Sequence, residues 1–245
     1  MNRKTFFDVL RSSFGSLIVS QVAGFSLILD EAVKRGTKLD RLAYILATTW
    51  WETANTMQPV AEGYWMKNAE AWRKKNLRYY PFYGRGYVQL TWEFNYKKAS
   101  KYFGVDFVKN PDLVMDPKYA IPILFVGMEE GWFTGKSMTD FLDGVDEDDA
   151  EDLREFSNAR TIINGKDRQV EIGKIALKFE RALRRSDYGT TSVTPEPTPA
   201  PQEAPVVTPD APAQIDAAPV VPARKDSLLI RILRVIVPFL RKLLQ

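Results

Sequence analysis

The chain has 245 residues, a net charge of +3 and 45% hydrophobic residues, and it contains neither histidine nor cysteine. The two missing residue types exclude a Ser-His-Asp triad, a thiol nucleophile, disulfides and zinc held by His or Cys. The remaining proton-transfer groups are mainly Asp and Glu, and the mild positive charge does not favour a nucleic-acid partner.

Composition divides the chain into three predicted parts. Residues 1–188 have a mixed composition with all six tryptophans and predict a folded domain. Residues 189–222 are rich in Pro, Ala, Val and Thr and carry four acids without a base, which is typical of a linker. Residues 223–245 carry six basic residues and one acid among many Leu, Ile and Val.

The first apolar segment, residues 12–29, contains no charged residue and follows Arg3 and Lys4. Such a segment is compatible with a signal peptide or signal anchor and also with an ordinary core helix. Asp8 and Arg11 interrupt its front, and several serines dilute it, so we favour the core helix.

The next predicted helix ends at a candidate catalytic carboxyl group. Before Trp50, Trp51 and Glu52, apolar residues recur at helical spacing, namely Leu39, Leu42, Ala43, Leu46 and Ala47. Glycoside hydrolases commonly use two carboxyl groups, about 6.5–9.5 Å apart in inverting enzymes, and an apolar setting suits the general acid. Glu62, ten residues later in a predicted loop, is the candidate second acid. For either glutamate the alternative is a solvated surface charge.

Residues 83–96, with the sequence YGRGYVQLTWEFNY, form the most specific segment of the chain. Two glycines flank Arg85, so the backbone can turn tightly or approach a ligand closely there. Gln89, Thr91 and Asn95 place polar groups among aromatic residues, a mixture that suits a groove for a sugar polymer. Weak alternation over residues 87–90 permits a short strand or hairpin.

The remaining elements of the first part are predicted helices, which makes it a mainly helical α+β domain. A turn and helix-start signal occupies residues 110–112, and residues 120–133 predict a buried helix despite Pro122. The last helix has an apolar face of Ile172, Ile175, Ala176, Phe179 and Leu183. The acidic residues 143–152 lack the ligand spacing of a calcium loop, so a solvated loop and no metal site are predicted.

The segment 83–96 closely resembles the signature of glycoside hydrolase family 19, which includes chitinases and phage or prophage endolysins. Residues 110–114 and 159–165 are similar to further family segments in the expected order, and the resemblance covers most of residues 5–185. It implies a lysozyme-like, mostly helical fold with two lobes about a cleft. It also implies hydrolysis by single displacement with inversion, without a cofactor.

The same resemblance implies roles for individual residues. Glu52, in the pair Glu52-Thr53, matches the family's general acid, and Glu62 matches the general base. Thr91 matches the residue that helps to hold the attacking water. Trp51 stands where the family usually has histidine, which leaves open how the acid is oriented. The predicted substrate-binding residues are Arg85, Gln89, Asn95, Tyr96 and Asn164.

Residues 224–245 predict a second activity. Wound as a helix, they place arginines along a narrow stripe beside a broad apolar surface, with a kink at Pro238. A basic helix of this kind favours an anionic membrane or lipopolysaccharide as its partner. Docking on the chain's own domain, or self-association, is the alternative.

We therefore predict an endolysin that hydrolyses β-1,4 bonds in peptidoglycan glycan strands and acts as a monomer. It is expected to be made in the host bacterial cytoplasm and to act in the periplasm. One alternative is a chitinase that acts on N-acetylglucosamine polymers by the same mechanism. The other is a non-catalytic module that binds cell wall or is tethered to a membrane, and the Trp51 departure keeps it open.

Overall fold

The computed structural model describes residues 1–144 and 148–189, and these residues are mainly helical, with 62% helix and 3% strand. The predicted fold class is thereby confirmed. Apart from Gly189, the predicted linker lies outside the described residues, as do the predicted amphipathic helix of residues 224–245 and part of the acidic segment. The division into residues 1–188, 189–222 and 223–245 therefore stays a prediction.

The described residues form a set of helices and one small sheet. The helices are α1 (Arg3–Phe14), α2 (Val19–Arg35), α3 (Leu39–Glu52), α4 (Ala69–Asn76), α5 (Glu93–Phe103), α6 (Pro117–Glu129), α7 (Asp149–Ala159), α8 (Thr161–Asn164) and α9 (Gln169–Arg185). Strands β1 (Val60–Ala61) and β2 (Arg85–Gly86) pair antiparallel, with Val60 opposite Gly86. Short 3-10 helices cover Pro111–Met115 and Met138–Asp140.

Helix α3 runs through the centre of the hydrophobic core. Every residue from Leu42 to Ala47 is fully buried, as expected for a helix enclosed by other elements. It packs chiefly against α9. The predicted apolar face of α9 is confirmed by its buried residues Ile172, Ala176, Phe179 and Leu183. A rigid, enclosed helix therefore carries Glu52, its last residue, to the edge of the core.

The N-terminal apolar run is divided between two core helices. Gly15, with φ of 90°, ends α1, and α2 begins at Val19. Phe25, Ile28 and Leu29 lie on the buried face of α2, as the core-helix interpretation predicts. Within the described ranges, no helix combines the length and the apolar character that a membrane span requires.

The strand near the signature segment lies earlier than its alternation pattern predicts. It covers Arg85–Gly86 instead of residues 87–90, whereas the predicted hairpin alternative is supported, because Arg85 and Leu90 form an antiparallel bridge across a tight turn. The cause is the turn between these two residues, because Gln89 has a left-handed backbone conformation with φ of 54°. A regular strand cannot continue through such a turn.

Two helices show where sequence patterns succeed and where they fail. The buried helix around Pro122 is confirmed as α6, and the Asp116 side chain caps its first turn by accepting a hydrogen bond from the Lys118 backbone N–H. Helix α4 was not predicted, because residues 69–76 are rich in Lys and Arg and bury mainly one residue, Arg73. An arginine that packs inward gives no apolar signal.

Candidate active site

Glu52 is held by the end of α3 and by a buried arginine. Thr53 closes the helix, because its hydroxyl donates to the Thr49 carbonyl oxygen at 2.7 Å and accepts from the Met57 amide at 3.1 Å. The Glu52 side chain, 10% exposed, accepts a hydrogen bond on Oε1 from Nη1 of Arg160 at 2.8 Å. Arg160 itself is 1% exposed. The predicted acid is therefore fixed from two directions.

The loop that follows α3 is strained and packs against α2. Ala54, Asn55 and Met57 have φ of 50°, 68° and 53°, values that residues with side chains rarely adopt. Gly24 lets α2 come so close that an added Cβ would lie 1.8 Å from the Met57 carbonyl oxygen. Contact with α2 therefore helps to impose this conformation.

Glu62 directly follows β1, and both of its carboxylate oxygens accept hydrogen bonds. The Tyr79 hydroxyl donates to Oε1 at 2.9 Å, and the Gly84 backbone N–H donates to Oε2 at 3.1 Å. The Glu62 carbonyl oxygen also accepts from Nε of Arg73, on α4, at 2.6 Å. The predicted base is thus buried and fixed, and the groups that contact its carboxylate are neutral donors.

Arg85 and Tyr96 lie inside the signature segment. The Arg85 guanidinium stacks over the Tyr83 ring at 3.5 Å, and it donates to the Tyr96 hydroxyl at 3.0 Å and to the Asp112 carboxylate at 2.7 Å. Tyr96 donates in turn to the Tyr83 carbonyl oxygen at 2.7 Å. Burial raises the pKa of Tyr96, although Arg85 opposes that shift. Both residues brace the turn in this conformation, and their contact with substrate stays a prediction.

Gln89, Thr91 and Asn95 form a series of hydrogen bonds next to β1. Gln89 Nε2 donates to the Val60 carbonyl oxygen at 2.9 Å, which ties the turn to the strand before Glu62. The Thr91 hydroxyl donates to the Gln89 carbonyl oxygen at 2.7 Å, and Asn95 Nδ2 donates to the Thr91 carbonyl oxygen at 2.9 Å. Because the Thr91 proton is engaged, its oxygen can accept a hydrogen bond from water, as its predicted role requires.

An aromatic strip of Tyr79, Trp92 and Phe94 continues from Glu62. The Tyr79 and Trp92 ring centroids are 5.0 Å apart, and Trp92 stacks with Phe94 at 6.5 Å. Phe94 is 51% exposed, and the Arg78 guanidinium lies 4.9 Å from the Trp92 ring centroid. Two half-buried rings and one exposed ring that continue from a carboxylate suit a sugar-binding surface. Sequence reasoning did not identify the contact between Tyr79 and Glu62, because it joins separate segments.

Left-handed backbone conformations concentrate around the predicted catalytic residues. Seven non-glycine residues of the described chain have positive φ. Five of them lie in the loops that follow Glu52 or flank Thr91, namely Ala54, Asn55, Met57, Gln89 and Trp92. Each such conformation costs of order 1–3 kcal/mol and persists only where the surroundings impose it. This concentration of strain marks the two loops as the candidate site.

Asn164 lies in α8, the short helix that follows Arg160. It ends that helix, is half-buried, and donates its backbone N–H to the Arg160 carbonyl oxygen at 3.1 Å. The hydrogen bonds thus join Glu52 to Arg160 at the junction of α7 and α8, and Glu62 to the signature segment, while the predicted contact of Asn164 with substrate stays a prediction. Sequence reasoning did not single out Arg160, because a buried ion pair between distant segments leaves no local signal.

One cluster of acidic residues in the described ranges brings three carboxyl groups together. Carboxylate oxygens of Asp40, Asp143 and Glu155 lie within 4.8 Å of one another. Asp40 already accepts hydrogen bonds from the backbone amides of Arg41 and Gly144, and burial raises its pKa. Since Ca²⁺ takes six to eight oxygen ligands, three carboxyl groups of this kind do not define a metal site.

The fold and the site together define a class of protein. Two nearly buried glutamates that are fixed by hydrogen bonds, one of them next to a strip of aromatic rings, suit a hydrolase acting on glycosidic bonds. Residues 43–134 match the sequence model of glycoside hydrolase family 19, described as chitinase class I. The match covers less than half of the chain and supports a family 19 domain. It includes Glu52, Glu62 and Thr91, but not Arg160 or Asn164.

Curated relatives match the chain over short segments. Chitinase 11 from Oryza sativa subsp. japonica is 54% identical over 41 residues, which are 16% of this chain and 16% of the relative. A basic endochitinase from Vitis vinifera is 54% identical over 33 residues, 14% of this chain and 10% of the relative. Inactive chitinase-like protein 1 from Hevea brasiliensis is 48% identical over 33 residues, with the same shares.

The chain thus spans only 10–16% of the length of these three relatives. No solved structure matches the chain.

Proposed function

We propose that the domain hydrolyses β-1,4 glycosidic bonds in a polymer of N-acetylated amino sugars, with chitin as the first candidate substrate. The observation that carries the proposal is the pair Glu52 and Glu62, each nearly buried and fixed by hydrogen bonds within the family 19 match. The names of the rice and grape relatives favour chitin, which is the alternative substrate predicted from the sequence.

In the proposed mechanism Glu52 is the general acid and Glu62 the general base. Glu52 donates its proton to the glycosidic oxygen while the bond from that oxygen to the anomeric carbon breaks. A water molecule donates a hydrogen bond to Thr91, loses a proton to Glu62, and attacks the anomeric carbon from the opposite face. The product has inverted configuration, and the residues named here act without a cofactor.

Product analysis by mass spectrometry and NMR tests this proposal. Chitin oligomers and purified peptidoglycan would each be incubated with the full chain and with Glu52→Gln. We expect shortened chitin oligomers of inverted anomeric configuration, and a rate about 10²–10⁴-fold lower in the variant. Glu151→Gln is a matched control, because Glu151 is an exposed partner of Arg154 on α7. No product from either substrate would favour the non-catalytic alternative.

Peptidoglycan is the second candidate substrate, and the composition of residues 224–245 favours it. Six basic residues against one acid, among apolar residues, suit the anionic surfaces of a bacterial envelope. In the same assay, muropeptides with new reducing ends would support an endolysin made in a bacterial cytoplasm and acting in the periplasm. Products from chitin alone would support a chitinase.

We also propose that residues 224–245 bind an anionic membrane or lipopolysaccharide. The support is their sequence, since these residues lie outside the described ranges. The full chain is expected to sediment with vesicles containing phosphatidylglycerol and to dissociate as salt is raised. A chain ending at residue 223 is the comparison. Equal binding by the two chains would sink this proposal.

A further inference from the structure

We propose that Arg78 gives the substrate groove a subsite for an amino sugar that carries a carboxylate group. This inference rests on the proposed hydrolysis of a polymer of N-acetylated amino sugars, and it adds which sugar the groove prefers. Its basis is the position of the Arg78 guanidinium, which lies 4.9 Å from the centroid of the Trp92 ring. A positive charge therefore stands in the aromatic strip that continues from Glu62.

A series of contacts connects Arg78 to the proposed base. The Tyr79 hydroxyl donates to Glu62 at 2.9 Å, and the Tyr79 and Trp92 ring centroids are 5.0 Å apart. Trp92 has a second ring neighbour in Phe94, which is 51% exposed and offers a flat face to a sugar. Because Arg78 and Phe94 both contact Trp92, the guanidinium is in reach of a group that projects from a sugar bound on this strip.

The N–H donors of the Arg78 side chain are not used within the described part of the chain. The guanidinium contacts the Trp92 ring, but it makes no hydrogen bond or ion pair with any residue in the ranges 1–144 and 148–189. Glu93, the acidic residue next to Trp92, pairs with Lys97 at 2.9 Å instead. Since a guanidinium presents its donors as a fork that matches both oxygens of a carboxylate, Arg78 is suited to bind one from a ligand.

The segment that leads to Arg78 carries an excess of the same charge. Residues 67–78 contain five basic residues and one acid, and Lys74 and Lys75 are exposed on α4. A surface with one dominant sign of charge attracts ligands of the opposite sign. A neutral chitin chain gains nothing from this charge, whereas a glycan with carboxylate groups does. The charge therefore favours a carboxylate-bearing glycan over a neutral one.

Binding to two glycans that differ only in charge tests this inference. The first is soluble, peptide-free glycan in which N-acetylmuramic acid supplies a carboxylate on alternate sugars, and the second is the same glycan after methyl esterification. Calorimetric titration uses the full chain with Glu52→Gln as the parent, because glutamine cannot donate the proton and the glycan stays intact. We expect the parent to bind the carboxylate form more tightly. Adding Arg78→Gln should reduce that ratio of affinities about tenfold and leave the affinity for neutral chitin oligomers unchanged.

Controls separate this inference from the proposed function. Lys178→Gln should keep the ratio of the parent, because Lys178 is also an exposed cation 4.9 Å from a ring, that of Phe14, but lies on α9. Residues 224–245 are present in every chain compared, so their charge cannot produce a difference between variants. Equal ratios in Arg78→Gln and the parent, or equal affinity of the parent for the two glycans, would overturn the subsite. A wild type that hydrolyses no glycan would contradict the proposed function instead, and the binding ratios would still decide the role of Arg78.

Discussion

At the scale of single residues, the two glutamates of the candidate site have different kinds of partner. Glu52 faces the guanidinium of Arg160, whereas Glu62 accepts hydrogen bonds from the Tyr79 hydroxyl and the Gly84 amide. In the proposed mechanism, a cation beside Glu52 would stabilise the charge that proton donation creates, and neutral donors would hold Glu62 as the base. Two carboxyl groups can therefore take different roles because their surroundings differ.

Removing the Tyr79 hydroxyl should weaken catalysis without unfolding the protein. In Tyr79→Phe, Glu62 loses the hydrogen bond of 2.9 Å on Oε1 and keeps the Gly84 bond on Oε2. Hydrogen bonds to charged groups contribute about 1.5–3 kcal/mol, so we expect kcat/KM to fall about tenfold or more. Tyr80→Phe is the matched control, because that hydroxyl bonds to Glu70 and not to Glu62. Equal activity of the two variants would contradict the role of Tyr79.

Tyr87 should limit stability at alkaline pH. Its hydroxyl is buried without a hydrogen-bond partner in the described part of the chain, and burial raises its pKa from 10.0 to about 12. Because the pKa is higher in the folded state, the free energy of unfolding is unaffected by Tyr87 ionisation below pH 10. It falls as the pH rises from 10 to about 12. Tyr87→Phe should gain about 1 kcal/mol at pH 7, and denaturant unfolding should show a larger gain above pH 10. A pH-independent difference would refute this account.

At the scale of elements, the loops around the site are held by close packing. The added Cβ of an alanine at Gly24 would lie 1.8 Å from the Met57 carbonyl oxygen, in the strained loop after α3. At Gly84 the added Cβ would lie 2.7 Å from Gln89 Oε1. The strained loops thus require glycine at these two positions, because an added side chain would collide with Met57 or Gln89.

Gly24→Ala should therefore destabilise the protein and reduce its activity. In an exposed helix the same change normally stabilises by about 1 kcal/mol. Here the clash with Met57 must displace α2 or the loop, at a cost of about 1–3 kcal/mol. Urea unfolding measures the free energy of unfolding. The rate of chitin-oligomer hydrolysis shows whether the loop next to Glu52 keeps its conformation. An increase in stability would show that the loop yields without cost.

At the scale of the whole molecule, the two ends of the described chain are tied together. The Asn2 amide donates to the Ser186 carbonyl oxygen at 2.6 Å, and the Tyr188 hydroxyl donates to the Thr37 carbonyl oxygen at 2.7 Å. Helices α1 and α9 also pack against each other. These contacts make the residues just after α9 part of the folded unit.

Two truncations test this end of the domain. A chain ending at residue 189 should keep the unfolding temperature and the glycan hydrolysis of the full chain. A chain ending at residue 185 loses the buried Ser186 and Tyr188 and should be less stable by about 3 kcal/mol, as for removal of a buried aromatic side chain. Calorimetry on both chains is the measurement. Equal unfolding temperatures would place the boundary earlier than residue 188.

The parts of the fold that sequence reasoning predicted are those with a local apolar period. Helices α3, α6 and α9 bury many apolar side chains, so their spacing is visible in the sequence. Helix α4 was missed because Arg73 is the residue it buries. The strand near the signature segment was misplaced because a left-handed residue, Gln89, reverses the chain there.

By itself, the sequence determined which chemistry is available, because a chain without histidine or cysteine leaves carboxyl groups as the main proton-transfer groups. It also placed Glu52 at the end of an apolar helix. Only the tertiary structure decided that Arg160 contacts one oxygen of Glu52, and that Tyr79 and Gly84 contact Glu62. The physical reason is that hydrogen-bond partners and burial arise where segments distant in the chain pack together, and no local spacing records that packing.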